Sequence, residues 1–137
     1  MAAPSGRTER LPIQKHEDIV LVRQRVRAHA LELGLGLVDQ TKVVTAASEL
    51  ARNTLIHGHG GWAGIELLEK NGRRGLRLQF EDRGPGIPDI AQALRDGYTT
   101  GDGLGLGLGG AKRLANEFDI VSNPGEGTRV TYIKWKA

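Results

Sequence analysis

Six of the ten residues from Gly101 to Gly110 are glycine, in the run GDGLGLGLGG, and the chain then continues as AKRLANEF, the opening of an ordinary helical pattern. Glycine gives up more conformational freedom on folding than any other residue, so such a run needs a physical reason. Flexible linkers alternate glycine with serine. Here the intervening residues are Leu104, Leu106 and Leu108, which gain from burial. Leucines anchored to a core, with bare glycines between them, describe a pinned backbone whose N–H groups are free to meet an anion at a helix start. The run contains G-x-G-x-x-G at Gly105, Gly107 and Gly110, but the preceding DGYTT reads as a loop, not as the strand a dinucleotide fold requires. The chain has no G-x-x-x-x-G-K-[ST], which excludes a P-loop.

The rest of the composition narrows the classes. At 137 residues the chain is expected to form one domain, 1–137, with a single two-layer core and residues 1–7 loose. It has no cysteine, which excludes disulfides and thiolate metal sites and fits a reducing cytoplasm. No apolar run approaches the ~18 residues of a membrane helix, and MAAPSGRTERLP has no apolar signal-peptide core. The formal charge is +3, with its densest basic cluster at Arg23, Arg25 and Arg27. That cluster reads as a solvated helix face and a candidate partner surface by exposure alone. With two Trp, two Tyr and two Phe, base-stacking platforms are not expected. Neither nucleic acid nor membrane is an expected partner.

Hydrophobic periodicity predicts a short strand at 10–14 and a helix over 16–33, with Ile19, Val22, Val26, Ala30 and Leu33 on one face and Gly34 at its end. A second helix follows Asp39, a candidate N-cap, with Val43, Ala46, Ala47, Leu50 and Ala51 inward and Gly58 ending it. Strands at 62–70 and 75–82 flank Asn71–Gly72, a strong hairpin signal. A short helix at 88–97, a helix at 109–118, and strands at 118–122 and 128–136 around the turn NPGEG complete the chain. Helices, then strands, then a helix and strands argue for an α/β two-layer sandwich, a mixed β-sheet with helices on one face.

Two further patterns carry chemistry. Asp82 ends a predicted strand and opens D-x-G-x-G with Gly84 and Gly86. A carboxylate at a strand end beside a glycine turn can accept a hydrogen bond from an exocyclic amine, while the glycines let a flat ring approach; a plain turn is its structural reading. Glu49 and Asn53 lie four apart, on one face of the second helix. Their oxygens suit Mg²⁺ and the handling of a hydroxyl proton, although an i,i+4 pair can also be mere surface. His57 continues that face one turn on, where a helix-terminal histidine is also favoured by the dipole.

The ordered set E-x-x-x-N on a helix, D-x-G-x-G after a strand, G-x-G-x-G before a helix and G-x-G-T before a final strand resembles the GHKL ATPase superfamily with its Bergerat nucleotide-binding fold. Within it, GYTTGDGLGLGLGGAKRLANEF is similar to the bacterial anti-sigma-type serine/threonine kinases, in particular the switch kinases of stressosome signalling. The resemblance spans about Leu11 to Trp135. It implies Glu49 as the base toward a substrate serine, Asn53 as the Mg²⁺ ligand and Asp82 as the acceptor of the adenine amino group, in a pocket shaped by Gly84 and Gly86. It implies Gly103, Gly105 and Gly107 along the triphosphate, with the amides from Leu106 through Leu108 to Gly109 pointing at it. Thr128 lies near the adenine, His57 near the phosphates, and the segment between Ile87 and Gly103 is the ATP lid. ATP/ADP and Mg²⁺ are the implied cofactors. The implied partners are a STAS-domain antagonist as substrate, a STAS-containing stressosome-like scaffold and a PP2C-type phosphatase, all cytoplasmic. The competing expectations are an anti-sigma factor acting by direct sigma-factor binding, and a nucleotide-dependent binding module with negligible catalysis.

Overall fold

The two helical patterns of the N-terminal half become a helical hairpin lying on a sheet. The computed structural model describes residues 3–87, 89–94 and 107–136. Its elements run β1 (Ala3–Ile13), α1 (His16–Leu33), α2 (Leu37–Ile56), β2 (Gly61–Lys70), β3 (Arg73–Asp82), α3 (Ile90–Ala93), α4 (Gly107–Arg113), β4 (Glu117–Asn123) and β5 (Gly127–Trp135).

α1 buries Val22, Val26, His29, Ala30 and Leu33 and ends at Gly34, whose φ of 88° lets its N–H bond the carbonyls of Ala30 and Leu31. α2 buries Val43, Val44, Ala46, Ala47, Leu50, Ala51 and Thr54. Its alanines let it lie close to its neighbours, while Leu50 supplies bulk. The sheet answers with Ala63, Ile65, Leu67, Leu76, Leu78, Phe80, Val130 and Tyr132, all in one cluster with the helix residues. Each fully buried Val, Leu or Ile contributes about 1.5–3 kcal/mol relative to its exposed state. α4 packs against α2 through the same core, with Leu108 and Ala111 buried.

The strand order is β1-β2-β3-β5-β4. The expected two-layer α/β sandwich with helices on one face is present, but every described pairing is antiparallel, not mixed. The connections explain this. With two helices between β1 and β2 the chain reverses an odd number of times, so β2 returns against β1. β3 and β4 do run the same way, but β5 inserts between them and opposes both. Asn71 and Gly72, with φ of 53° and 79°, make the tight β2–β3 hairpin.

Several boundaries differ from the sequence expectation. β1 starts at Ala3, so residues 3–7, expected to be loose, join a strand paired with β2, with an irregularity between Pro4 and Thr8. Asp39 does not cap α2: Gly36 does, and Asp39 sits in the first turn, where Lys134 Nζ comes within 3.6 Å of its carboxylate. α4 ends at Arg113, five residues before the expected end at Phe118. The Asn116 carboxamide there accepts the Trp135 N–H at 2.7 Å, and the Asn116 N–H donates to Ile133 O at 2.9 Å. These bonds commit the chain to β4. Of the basic cluster, Arg25 is held by Glu9 at 2.9 Å, while Arg23 and Arg27 remain exposed.

Candidate functional site

β3 ends at Asp82, opposite Gly61 on β2 and Thr128 on β5. The central strand therefore delivers one carboxylate to the rim of the sheet. Its Oδ1 accepts the Gly84 N–H at 2.9 Å, and the carboxylate also accepts a backbone bond from Thr128. Burial raises the Asp82 pKa, opposed in part by those two amide bonds and by the charge of His59.

Close backbone packing surrounds this carboxylate. A Cβ built at Gly58 would lie 2.5 Å from Asp82 Cβ and nearer still to Cγ and Oδ2. One built at Gly84 would lie 2.8 Å from Gly58 Cα. At Gly127 a Cβ would run into Asp82 O and come within 2.8 Å of Arg83 Cα. Gly86, with φ of 81°, turns under the NPGEG hairpin, where a Cβ would sit 2.5 Å from Asn123 O. The two loops are tied together: Gly125 N–H donates to Pro85 O at 2.8 Å, and Ile87 N–H donates to Ser122 Oγ at 2.8 Å. Ser122 Oγ lies 2.8 Å from Thr128 Oγ1.

Glu49, Asn53 and His57 lie along α2 and its C-cap, the first two partly exposed and the third exposed. The Asn53 carbonyl accepts the N–H groups of His57 and Gly58, at 2.9 and 3.1 Å. The last turn of the helix therefore leads directly into the Gly58 contact with Asp82. The structure thus joins Asp82, Gly84 and Thr128 with the end of the helix that carries Glu49 and Asn53. Gly107 begins α4 with φ of 70°, and Leu108 and Gly109 are buried in it. Gly103, Gly105 and Leu106, and most of the segment expected as a lid, lie outside the described residues.

The donor set fits a nucleotide better than a caged metal. Among the described residues no group of three or more His, Asp or Glu could hold an ion. One amide and one carboxylate on a helix suit Mg²⁺ only where phosphates and water complete its shell. Asp82 uses two of the roughly four lone-pair positions of a carboxylate, which leaves capacity for an amine. Two participants escaped sequence reading. Ser122 had no signal in the sequence, because its role depends on two loops meeting. Gly58 read only as a helix stop.

Comparison with known proteins identifies the family. Residues 38–137 match the family described as histidine kinase-, DNA gyrase B- and HSP90-like ATPase. The chain is 51% identical over 118 residues to the serine/threonine-protein kinase RsbT of Bacillus subtilis (strain 168), covering 86% of this chain and 89% of that one. It is 32% identical over 122 residues to the anti-sigma F factor of Clostridium kluyveri (strain NBRC 12016), covering 86% of each. Among solved structures, the RsbU and RsbW domains of a Mycobacterium tuberculosis protein superpose with a TM-score of 0.67 at 21% identity, over 96% of this chain and 33% of that chain. This chain thus spans a third of the length of that structure. The mycobacterial sensor histidine kinase MprB gives 0.56 at 19% identity, over 94% of this chain and 97% of that one, a likeness of fold. The chain belongs to the GHKL family of histidine kinase-, DNA gyrase B- and HSP90-like ATPases.

Proposed function

We propose that this chain is a partner-switching regulator that transfers the γ-phosphoryl group of ATP to a serine of a STAS-domain antagonist. It is a protein serine/threonine kinase of an ATP-using family. The observation that carries the reading is the meeting of the Asp82 carboxylate with the end of the Glu49–Asn53 helix, so that base recognition and phosphoryl chemistry share one rigid corner.

In this reading Asp82 accepts a hydrogen bond from the adenine amino group, with Thr128 beside it, while Gly84 and Gly86 shape the pocket by letting its loop pack against the Gly58 and Asn123 backbone. Gly103, Gly105 and Gly107 lie along the triphosphate, and the amides from Leu106 to Gly109 face its oxygens. Asn53 would hold Mg²⁺, which when bound would offset the phosphate charge. His57 stands near the phosphates. Glu49 takes the proton of the substrate serine as its oxygen bonds to the γ-phosphorus and the bond to ADP breaks. Phosphoryl transfer asks the protein chiefly for positioning and charge stabilisation, which a rigid corner and a glycine-rich backbone supply.

The same reading gives the chain a STAS-containing scaffold that holds it and a PP2C-type phosphatase that it binds on release. It places the work in the cytoplasm; no helix among the described residues is long and apolar enough to cross a membrane. The test is intact-mass analysis of a STAS-domain protein incubated with this chain and Mg²⁺-ATP. One added phosphate is expected, lost with Glu49→Gln and Asp82→Asn. Nucleotide binding without any transfer would overturn the kinase role in favour of a nucleotide-dependent binding module. The likeness to an anti-sigma F factor favours one second reading, direct sigma-factor binding, which a pull-down with purified sigma factors decides.

A further inference from the structure

Gly58 is not among the glycines with positive φ, so its backbone is one that alanine could adopt. The demand for glycine there is therefore steric and not conformational. The obstruction is specific: a Cβ would enter the Asp82 side chain, 2.5 Å from its Cβ and closer to Cγ and Oδ2. Gly58 is held in place, because its N–H is tied to Asn53 O at 3.1 Å and Gly84 packs so close that a Cβ there would lie 2.8 Å from Gly58 Cα. The carboxylate is thus pressed between a helix end and the strand rim, and the bare Gly58 backbone limits where it can turn. Such a contact restricts a side chain's direction without spending a further hydrogen bond, leaving for a ligand the lone pairs that the Gly84 and Thr128 amides do not use.

We infer that Gly58 is a positioning residue for nucleobase recognition: its backbone holds the Asp82 carboxylate in the direction that accepts the base, and couples that group to the helix bearing Glu49 and Asn53. This rests on the reading of Asp82 as the base acceptor. A glycine required only for packing would act on stability alone; a positioning glycine acts on nucleotide affinity, and only through Asp82.

The experiment is a double-mutant cycle read by ATP titration, with thermal unfolding beside it. Gly58→Ala is expected to weaken ATP binding about tenfold or more, as does Asp82→Asn. The double variant is expected to be no weaker than Asp82→Asn alone, within about twofold, because both changes remove one interaction. Gly75→Ala, which would put a Cβ 2.5 Å from the Trp135 ring at the far end of β3, is the packing control: it lowers the Tm and leaves ATP affinity as in wild type. If Gly58→Ala does not fold, Gly58→Ala with Asp82→Gly carries the test. Recovery of the Tm supports Asp82 as the obstruction, and no recovery overturns the inference. Wild-type affinity in Gly58→Ala, or effects that multiply in the double variant, also overturns it while leaving Asp82 as the acceptor. Wild-type affinity in Asp82→Asn overturns both that reading and the inference.

Discussion

Two carboxylates on this sheet are held in opposite ways. Glu9 on β1 is surrounded by side chains: Arg25 Nε donates to it at 2.9 Å and His29 Nε2 lies 3.0 Å away, both from α1. Asp82 on β3 is surrounded by backbone, from Gly58, Gly84 and Thr128. Burial raises the pKa of both groups. At Glu9 the hydrogen bonds and charges of His29 and Arg25 outweigh it and leave the carboxyl below its ordinary value; at Asp82 burial prevails. A carboxylate supplied with cations serves to join β1 to α1. One held half-buried among amides and glycines keeps a pKa above its ordinary value, the pattern that the proposed function expects of a group serving a ligand.

The sharpest way to break this comparison is to intrude on the backbone cradle. Gly127→Val adds a side chain where φ is +94° and Asp82 O blocks the Cβ, and a loss of about 3 kcal/mol or more is expected by urea denaturation. A midpoint like that of wild type would mean the cradle is loose. Next, Glu9→Ala leaves the Nε2 of His29, a residue 4% exposed, without its carboxylate partner. A loss of about 1–3 kcal/mol is expected, with ATP affinity unchanged in a binding titration. Asp82→Asn gives the reverse pattern: ATP affinity falls, while the unliganded protein at pH 7 is at least as stable as wild type by thermal unfolding. Equal destabilisation by both variants would erase the distinction.

The smallest effect is in pH. Glu9 has a lowered folded pKa, so its stabilisation is complete above the unfolded value of 4.5 and lost as pH falls through the folded one. The stability gap between wild type and Glu9→Ala should therefore shrink on acidification. Asp82 has a raised folded pKa, so its favourable contribution is complete below 3.8 and lost as pH rises through the folded value. The advantage of Asp82→Asn should accordingly appear on going from pH 3 to pH 7. Slopes of the same sign in the two denaturation series would contradict the assignment.

Much of this was legible in the chain. The spacing of Val22, Val26, Ala30 and Leu33 is local, and so was enough to place α1 at His16–Leu33. The dipeptide Asn71–Gly72 announced its own turn, because positive φ is a property of those residues themselves. The motifs around Glu49, Asp82 and Gly107 on which the proposed function rests were readable for a similar reason: each is a short pattern within one element or turn. Asp39 was misread because its fate depends on Lys134, far along the chain. The end of α4 was misread because Asn116 answers to Trp135 and Ile133 on another strand.

By itself the sequence determined where helices and turns form, which face each helix buries, and which short motifs point to nucleotide chemistry, since all of these follow from periodicity and residue type over a few neighbours. The tertiary structure alone decided that β5 enters between β3 and β4, that Ser122 links the Ile87 backbone to Thr128, and that Gly58 presses on Asp82. Those are contacts between residues remote along the chain. They exist only once the core has fixed how the helix hairpin lies on the sheet, and no local preference encodes them.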